Sequence, residues 1–263
     1  MIFLTFLTRF LPPLIFLVSY IGCAEKDLDP DSPADAFSVA REYYDDENYD
    51  IAVQKLGEFK SRFPYSKFAV MAEIFIANCH FELGNYEEAA LEYKQFSKLH
   101  PKHEKAPFAM FRVGESYWID APEEIDRDQE LTERAIEEWR NLVAAFPQSK
   151  YTERAQSKID LGLRRIAESH KFVADFYCKM EKFHACAYRF IQLLEKYPKY
   201  LDIRKHALET ASSALLEISM TKREDPKSDK NVFFKTMTWQ EIETKSKELE
   251  NLAKKVQLPK ESH

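Results

Sequence analysis

What the sequence lacks first is glycine: 5 residues in 263, one of them within the first 22. Folds that turn on glycine-rich hairpins or cradle phosphates in glycine loops are disfavoured, which sets aside sandwiches, barrels and Rossmann-type sheets. A basic excess is also missing. The formal net charge is -6, so the electrostatic footprint of a nucleic-acid binder is absent and no nucleic acid is expected as a partner. No GxxxxGKS/T, HExxH or GxSxG run occurs, which removes nucleotide, zinc-protease and serine-hydrolase geometries. His100, His103 and Glu104 share a turn and read as a solvated loop, while Cys178, His184 and Cys186 match no standard zinc spacing. The reading is therefore of a non-enzyme with no catalytic residue, metal site or dissociable cofactor. What is present is 31% charged residues and 14% aromatics, the composition of a helical protein packed by rings, and a helical repeat array is the first architecture to test.

Residues 1–22 are almost wholly apolar, with Arg9 near the start and no acidic residue. Pro12 and Pro13 interrupt the run, so the layout is that of a secretory signal peptide, with an uncleaved membrane-spanning anchor as the competing reading. The ending Ile21-Gly22-Cys23, followed by a polar, acidic stretch at 24–31, resembles the lipobox of bacterial lipoproteins, although Tyr20 stands where Leu is usual. That resemblance implies a diacylglyceryl group on Cys23, whose acyl chains hold the protein on a bilayer at about 0.8 kcal/mol per buried methylene. Ala24 stands where an Asp would retain the protein at the inner membrane, which points to the outer membrane, facing the periplasm. With Cys23 carrying lipid, Cys79, Cys178 and Cys186 remain, all inside helical patterns. Buried free thiols are expected, with a Cys178 to Cys186 bridge as the alternative, because helical geometry rarely brings such pairs within bonding distance.

Four aromatic-or-histidine-plus-proline pairs punctuate the chain: Phe63-Pro64, His100-Pro101, Phe146-Pro147 and Tyr197-Pro198. Counting back twelve residues from each proline gives Ala52, Ala89, Ala135 and Cys186; eight back gives Leu56, Tyr93, Trp139 and Phe190; five back gives Phe59, Phe96, Leu142 and Leu193. These offsets lie on one face of a helix. Upstream lies another helix with a small residue and a ring three later: Ala40 and Tyr43, Ala77 and His80, Gly114 and Tyr117, Ala174 and Tyr177. Matched small residues let paired helix axes approach closely. The pattern resembles the tetratricopeptide repeat, and Gly84-Asn85-Tyr86-Glu87-Glu88-Ala89 is near its consensus. Ser32, Ser66 and Ser149 are expected as helix N-caps.

Two departures from the period carry information. Nine extra residues in the third unit make an acidic loop at 120–129. Fourteen extra residues after Pro147, about four helical turns, predict one long helix shared by two halves. The expected fold is thus an all-α tetratricopeptide solenoid of about five helix pairs. Its predicted divisions are a leader at 1–22, a lipidated linker at 23–31, an N-terminal arm at 32–166, a C-terminal arm at 167–258 and a disordered tail at 259–263. The fifth pair is predicted at 203–219 and 238–256, joined by a polar loop at 221–231.

Function in such a stack comes from the concave surface lined by the first helices. The predicted groove is Phe37, Arg41, Tyr44, Ile74, Asn78, Phe81, Phe108, Phe111, Glu115 and Trp118, six of the ten being aromatic. It suits an extended peptide with hydrophobic and aromatic side chains, unless the rings pack between repeats instead. The fourth unit offers the polar Glu168, Lys171 and Asp175.

The lipobox, the aromatic-proline boundaries, the Asp126-Arg127-Asp128-Gln129 insert, the run Phe146-Pro147-Gln148-Ser149-Lys150-Tyr151 and the hairpin at 177–198 together resemble the BamD family of outer-membrane protein assembly factors. The resemblance implies a periplasm-facing outer-membrane lipoprotein whose N-terminal arm receives unfolded β-barrel proteins and whose C-terminal arm docks the periplasmic domains of BamA, with other BAM lipoproteins as further partners. It also offers Arg189 as a BamA-docking candidate; an internal ion pair with Asp175 or Glu181 is the competing role. A pilotin-like or cell-division-associated repeat lipoprotein is the alternative reading, set back by the long shared helix and by the absence of a heptad run before Ser32.

Overall fold

A computed structural model describes residues 29, 31–225 and 234–258. The leader at 1–22, Cys23 and the tail at 259–263 lie outside the described residues, as does most of the loop placed at 221–231. Among the described residues no helix is long and apolar enough to cross a membrane.

The described residues form ten helices in five antiparallel pairs: α1 (Pro33–Asp45) with α2 (Tyr49–Arg62), α3 (Lys67–Glu82) with α4 (Tyr86–Leu99), α5 (Ala106–Asp120) with α6 (Glu130–Ala145), α7 (Thr152–Lys179) with α8 (Phe183–Lys196), and α9 (Leu201–Glu224) with α10 (Trp239–Lys255). Each helix packs on its neighbours in sequence, and α1 also touches α3 and α7 touches α9. This is the helical repeat solenoid that the periodicity predicted.

The turns explain how the chain manages with so little glycine. At the four proline boundaries the residue before proline takes almost the same backbone conformation: Phe63 (φ -126°, ψ 54°), His100 (-124°, 55°), Phe146 (-134°, 63°) and Tyr197 (-129°, 52°). Proline excludes the α region for the residue before it, so each helix stops there and its last N–H still reaches the carbonyl four residues back. Inside three pairs the turn needs one left-handed residue. Gly84 supplies it at φ 78°, and Glu47 and Glu181 occupy the same place at φ 61° and 56°. The N–H of the following residue then bonds the carbonyl five back, as in Asn48 to Tyr43, Asn85 to His80 and Lys182 to Tyr177.

Ser32 caps α1 through Asp35 N–H, and Ser66 caps α3 through Phe68 N–H. Ser149 does not cap α7. Its hydroxyl accepts from Tyr151 N–H at 3.3 Å within the turn after Pro147, and the helix starts only at Thr152. The fifth pair also departs from expectation, because α9 continues through residues 221–224, which had been assigned to the loop.

Every position of the second-helix register is buried: Ala52, Ala89, Ala135 and Cys186, the rings and Leu56 at the next offset, and Phe59, Phe96, Leu142 and Leu193. Among the small residues on the first helices, Gly114 leaves no room for a Cβ. A Cβ there would stand 2.5 Å from Trp139 Nε1, and that nitrogen donates to the Phe111 carbonyl at 3.1 Å. α7 joins two cores. Ala155 packs with α3 to α6, whereas Ala167 and Ala174 pack with α8 to α10.

Cys178 and Cys186 form a disulfide, with Cα atoms 5.0 Å apart. This corrects the expectation of free thiols. The left-handed turn at Glu181 folds α8 straight back on the last turn of α7, and the hairpin is tight enough to meet bonding geometry. Cys79 is the remaining described cysteine, buried, with its thiol pushed up to about 12 by burial and therefore unreactive at neutral pH.

Candidate functional site

The predicted groove divides in two. Phe37, Ile74 and Phe111 are only 8, 4 and 1% exposed and belong to the cores, so the expectation that they line an open groove is corrected. Phe37 packs on Phe59, Phe68 and Phe75, and Phe111 on Trp139 and Tyr151, because rings of this size fill the gap between successive pairs. Arg41 is exposed, and Tyr44, Asn78, Phe81, Phe108, Glu115 and Trp118 are partly exposed.

A hydrogen-bonded chain ties the second group together. Tyr93 Oη donates to Asn78 Oδ1 at 2.6 Å, and Asn78 Nδ2 donates to Tyr44 Oη at 3.5 Å. Arg112 Nε donates to Tyr93 Oη at 3.3 Å, while its Nη1 donates to Glu115 at 2.9 Å and its Nη2 to Glu82 at 3.3 Å. The guanidinium lies 3.5 Å from the Phe81 ring centroid and 5.9 Å from those of Tyr93 and Phe108. Burial raises the Tyr93 and Tyr44 hydroxyls above the usual tyrosine range, so both stay protonated and can donate or accept. Burial works against the Arg112 charge, and Tyr93 and Glu115 outweigh it.

Cations recur over the rings along this surface: Arg41 over Phe75 at 5.5 Å, Arg154 over Phe111 at 4.6 Å, and Lys158 and Arg165 over Trp118 at 5.3 and 3.9 Å. Each such contact contributes about 0.5–2 kcal/mol. Sequence reasoning found Arg41 and most of the rings, and missed Phe75 and the other cations. For Arg112 the signal was available, since it follows Phe108 by one helical turn. Arg154, Lys158 and Arg165 come from the next helix pair, and only the stacking of α7 on α5 brings them here.

In the fourth unit, Asp175 accepts from Lys171 Nζ at 2.6 Å and lies 2.7 Å from His206 Nε2, and Glu168 pairs with Arg164 at 3.0 Å. Arg189 makes neither internal ion pair considered for it. Asp175 is taken, and the Arg189 guanidinium sits over the Tyr177 ring at 4.9 Å. His100, considered for a metal, lies 2.9 Å from Glu73 and rests on Phe96, and among the described residues no group of three metal-ligating side chains converges.

A family model described as YfiO, outer membrane lipoprotein, matches residues 29–230, which include every helix except α10. The chain belongs to that family. Relatives of this YfiO-family chain include the protein named outer membrane protein assembly factor BamD in Vibrio cholerae, 25% identical over 219 residues and covering 79% of this chain and 90% of that one. The BamD of Neisseria gonorrhoeae is 24% identical over 217 residues, 78% of this chain and 79% of its own. Among solved structures, a thermophilic TPR protein of Thermus thermophilus matches 70% of this chain and 100% of its own at 18% identity and a TM-score of 0.37.

Proposed function

We propose that this protein is an outer-membrane protein assembly factor, held on the periplasmic side of the outer membrane by lipid on Cys23. Its N-terminal arm receives unfolded β-barrel proteins along the surface from Tyr44 to Trp118, and its C-terminal arm docks the periplasmic domains of BamA near Arg189, with other BAM lipoproteins joining the complex. Membership of the YfiO family, together with relatives named for barrel assembly, is the observation that carries this reading. The partly exposed rings and the cations over them supply a surface on which an extended client chain can lay aromatic side chains and satisfy its backbone carbonyls.

Depletion in the native host tests the reading. Outer-membrane barrels are expected to fall and their unfolded forms to accumulate in the periplasm, and a pull-down is expected to recover a barrel protein with periplasmic domains. Unchanged barrel levels, or recovery of a secretin or division proteins in its place, would overturn it in favour of a pilotin-like or division-associated scaffold. Replacing Cys23 with Ser is expected to release the protein from the membrane fraction; retention there would refute the lipid anchor.

A further inference from the structure

One face of α7, continued to its C-cap Met180, carries two chemistries in sequence. Arg154, Lys158, Arg165, Phe172, Phe176 and Met180 follow one another at steps of four or seven residues. At 100° per residue they fall within an arc of about 80°. The first half is cationic and lies over the aromatic surface of α5, through the contacts of Arg154 with Phe111 and of Lys158 and Arg165 with Trp118. The second half is apolar and open: Phe172 is 46% exposed, and Phe176 and Met180 are each 53% exposed.

Part of the charge on this face, that of Lys158 and Arg165, is uncompensated in a chain whose net charge is -6. Glu115 is held by Arg112 at 2.9 Å and reaches Arg154 only at 3.9 Å, while Glu168 is held by Arg164. Among the described residues neither Lys158 nor Arg165 has a carboxylate partner, and Arg165 Nη1 has no hydrogen-bond acceptor. Arg165 Nη1 is itself buried, so the part of this pair open to a carboxylate is the half-buried Lys158 ammonium together with the Nε–Nη2 edge of the guanidinium stacked on Trp118.

We propose that this face of α7 is a docking track for an extended peptide segment of a partner protein that carries carboxylates at one end and aromatic or aliphatic side chains at the other. The carboxylates lie on Lys158 and Arg165 over Trp118, and the apolar side chains cover Phe172, Phe176 and Met180. Arg154 to Met180 spans about 39 Å at 1.5 Å per residue, which about twelve extended residues cover. The order of the two chemistries fixes how the segment lies, and a helix running through both cores holds the two halves at a constant separation.

The test uses the full chain and a fluorescein-labelled, C-terminally amidated twelve-residue peptide with three aspartates at one end, a Ser-Gly spacer, and two phenylalanines and a leucine at the other. A peptide of the same composition with acidic and apolar residues interleaved is the comparison. By fluorescence anisotropy the blocked peptide is expected to bind about tenfold more tightly than the interleaved one. The K158Q/R165Q protein is expected to lose that advantage together with most of the salt dependence, whereas F172S/F176S weakens binding and leaves the salt dependence in place. Equal binding of the two peptides, no binding of either, or unchanged binding after either pair of substitutions would overturn the proposal. Lys158→Gln alone, which removes no core packing, keeps the charge arm readable should the double variant lose helicity. Binding is read on the isolated protein, so its failure leaves barrel assembly untouched, and normal barrel levels on depletion leave the track untouched.

Discussion

Gly57 and Gly114 both lie inside helices, and their surroundings set them apart. A Cβ at Gly57 would meet nothing within 4 Å, so Gly57→Ala is expected to stabilise the protein by about 1 kcal/mol through helix propensity alone, raising the melting temperature. The same change at Gly114 drives a methyl into the fully buried Trp139 indole and is expected to cost about 1–3 kcal/mol, read by chemical denaturation. His170 offers a pH test at the same scale. Burial lowers its pKa, and Lys196 adds to that lowering. The folded state therefore resists the proton that the unfolded chain takes up below about 6.5, and stability falls as pH drops from there toward the folded value. Replacing His170 with Gln is expected to flatten the melting temperature between pH 7 and pH 5; an unchanged slope would refute the assignment.

At the scale of the element, the left-handed turn residues make the sharpest prediction. Glu47 and Glu181 occupy the place that Gly84 fills without cost, and a side chain there strains the backbone by about 1–2 kcal/mol. Glu47→Gly and Glu181→Gly are expected to raise the melting temperature, whereas Gly84→Ala is expected to lower it by a comparable amount. The proline boundaries were legible in the sequence because proline acts on its immediate neighbour, and the buried register could be counted back from it. The Cys178–Cys186 bond was not legible: it depends on how tightly Glu181 turns the hairpin, which no spacing records. The end of α9 was missed for a related reason, since a polar stretch continues a helix when the apolar face leading into it, here Leu215 and Ile218, stays buried.

Across the whole molecule, stability in a stack of this kind is a sum of neighbour contacts. The described core falls into separate clusters, one built from α1 to α3, one from α3 to α7 and one from α7 to α10. Phe190→Ala, at a fully buried site of the last cluster, is expected to cost about 3–5 kcal/mol and to speed hydrogen exchange in α8 to α10 while α2 to α4 keep their protection. Uniform loss of protection would show a single cooperative unit instead. The fold class, its pairing and the long α7 followed from local periodicity. The candidate surface was only half legible, because Phe37, Ile74 and Phe111 sit at the same helical offsets as their exposed counterparts, and burial there depends on the adjacent pair.

The near-identical torsions at Phe63, His100, Phe146 and Tyr197 make the boundaries interchangeable. A recombination event that removed residues 64–100 would join Phe63 to Pro101 and preserve the same aromatic-proline bend. One whole helix pair would leave without opening a turn that the remaining chain cannot make. Loss or duplication of units is therefore a change this gene can undergo in a single step, with the interfaces between newly adjacent pairs, and not the turns, deciding whether the product folds.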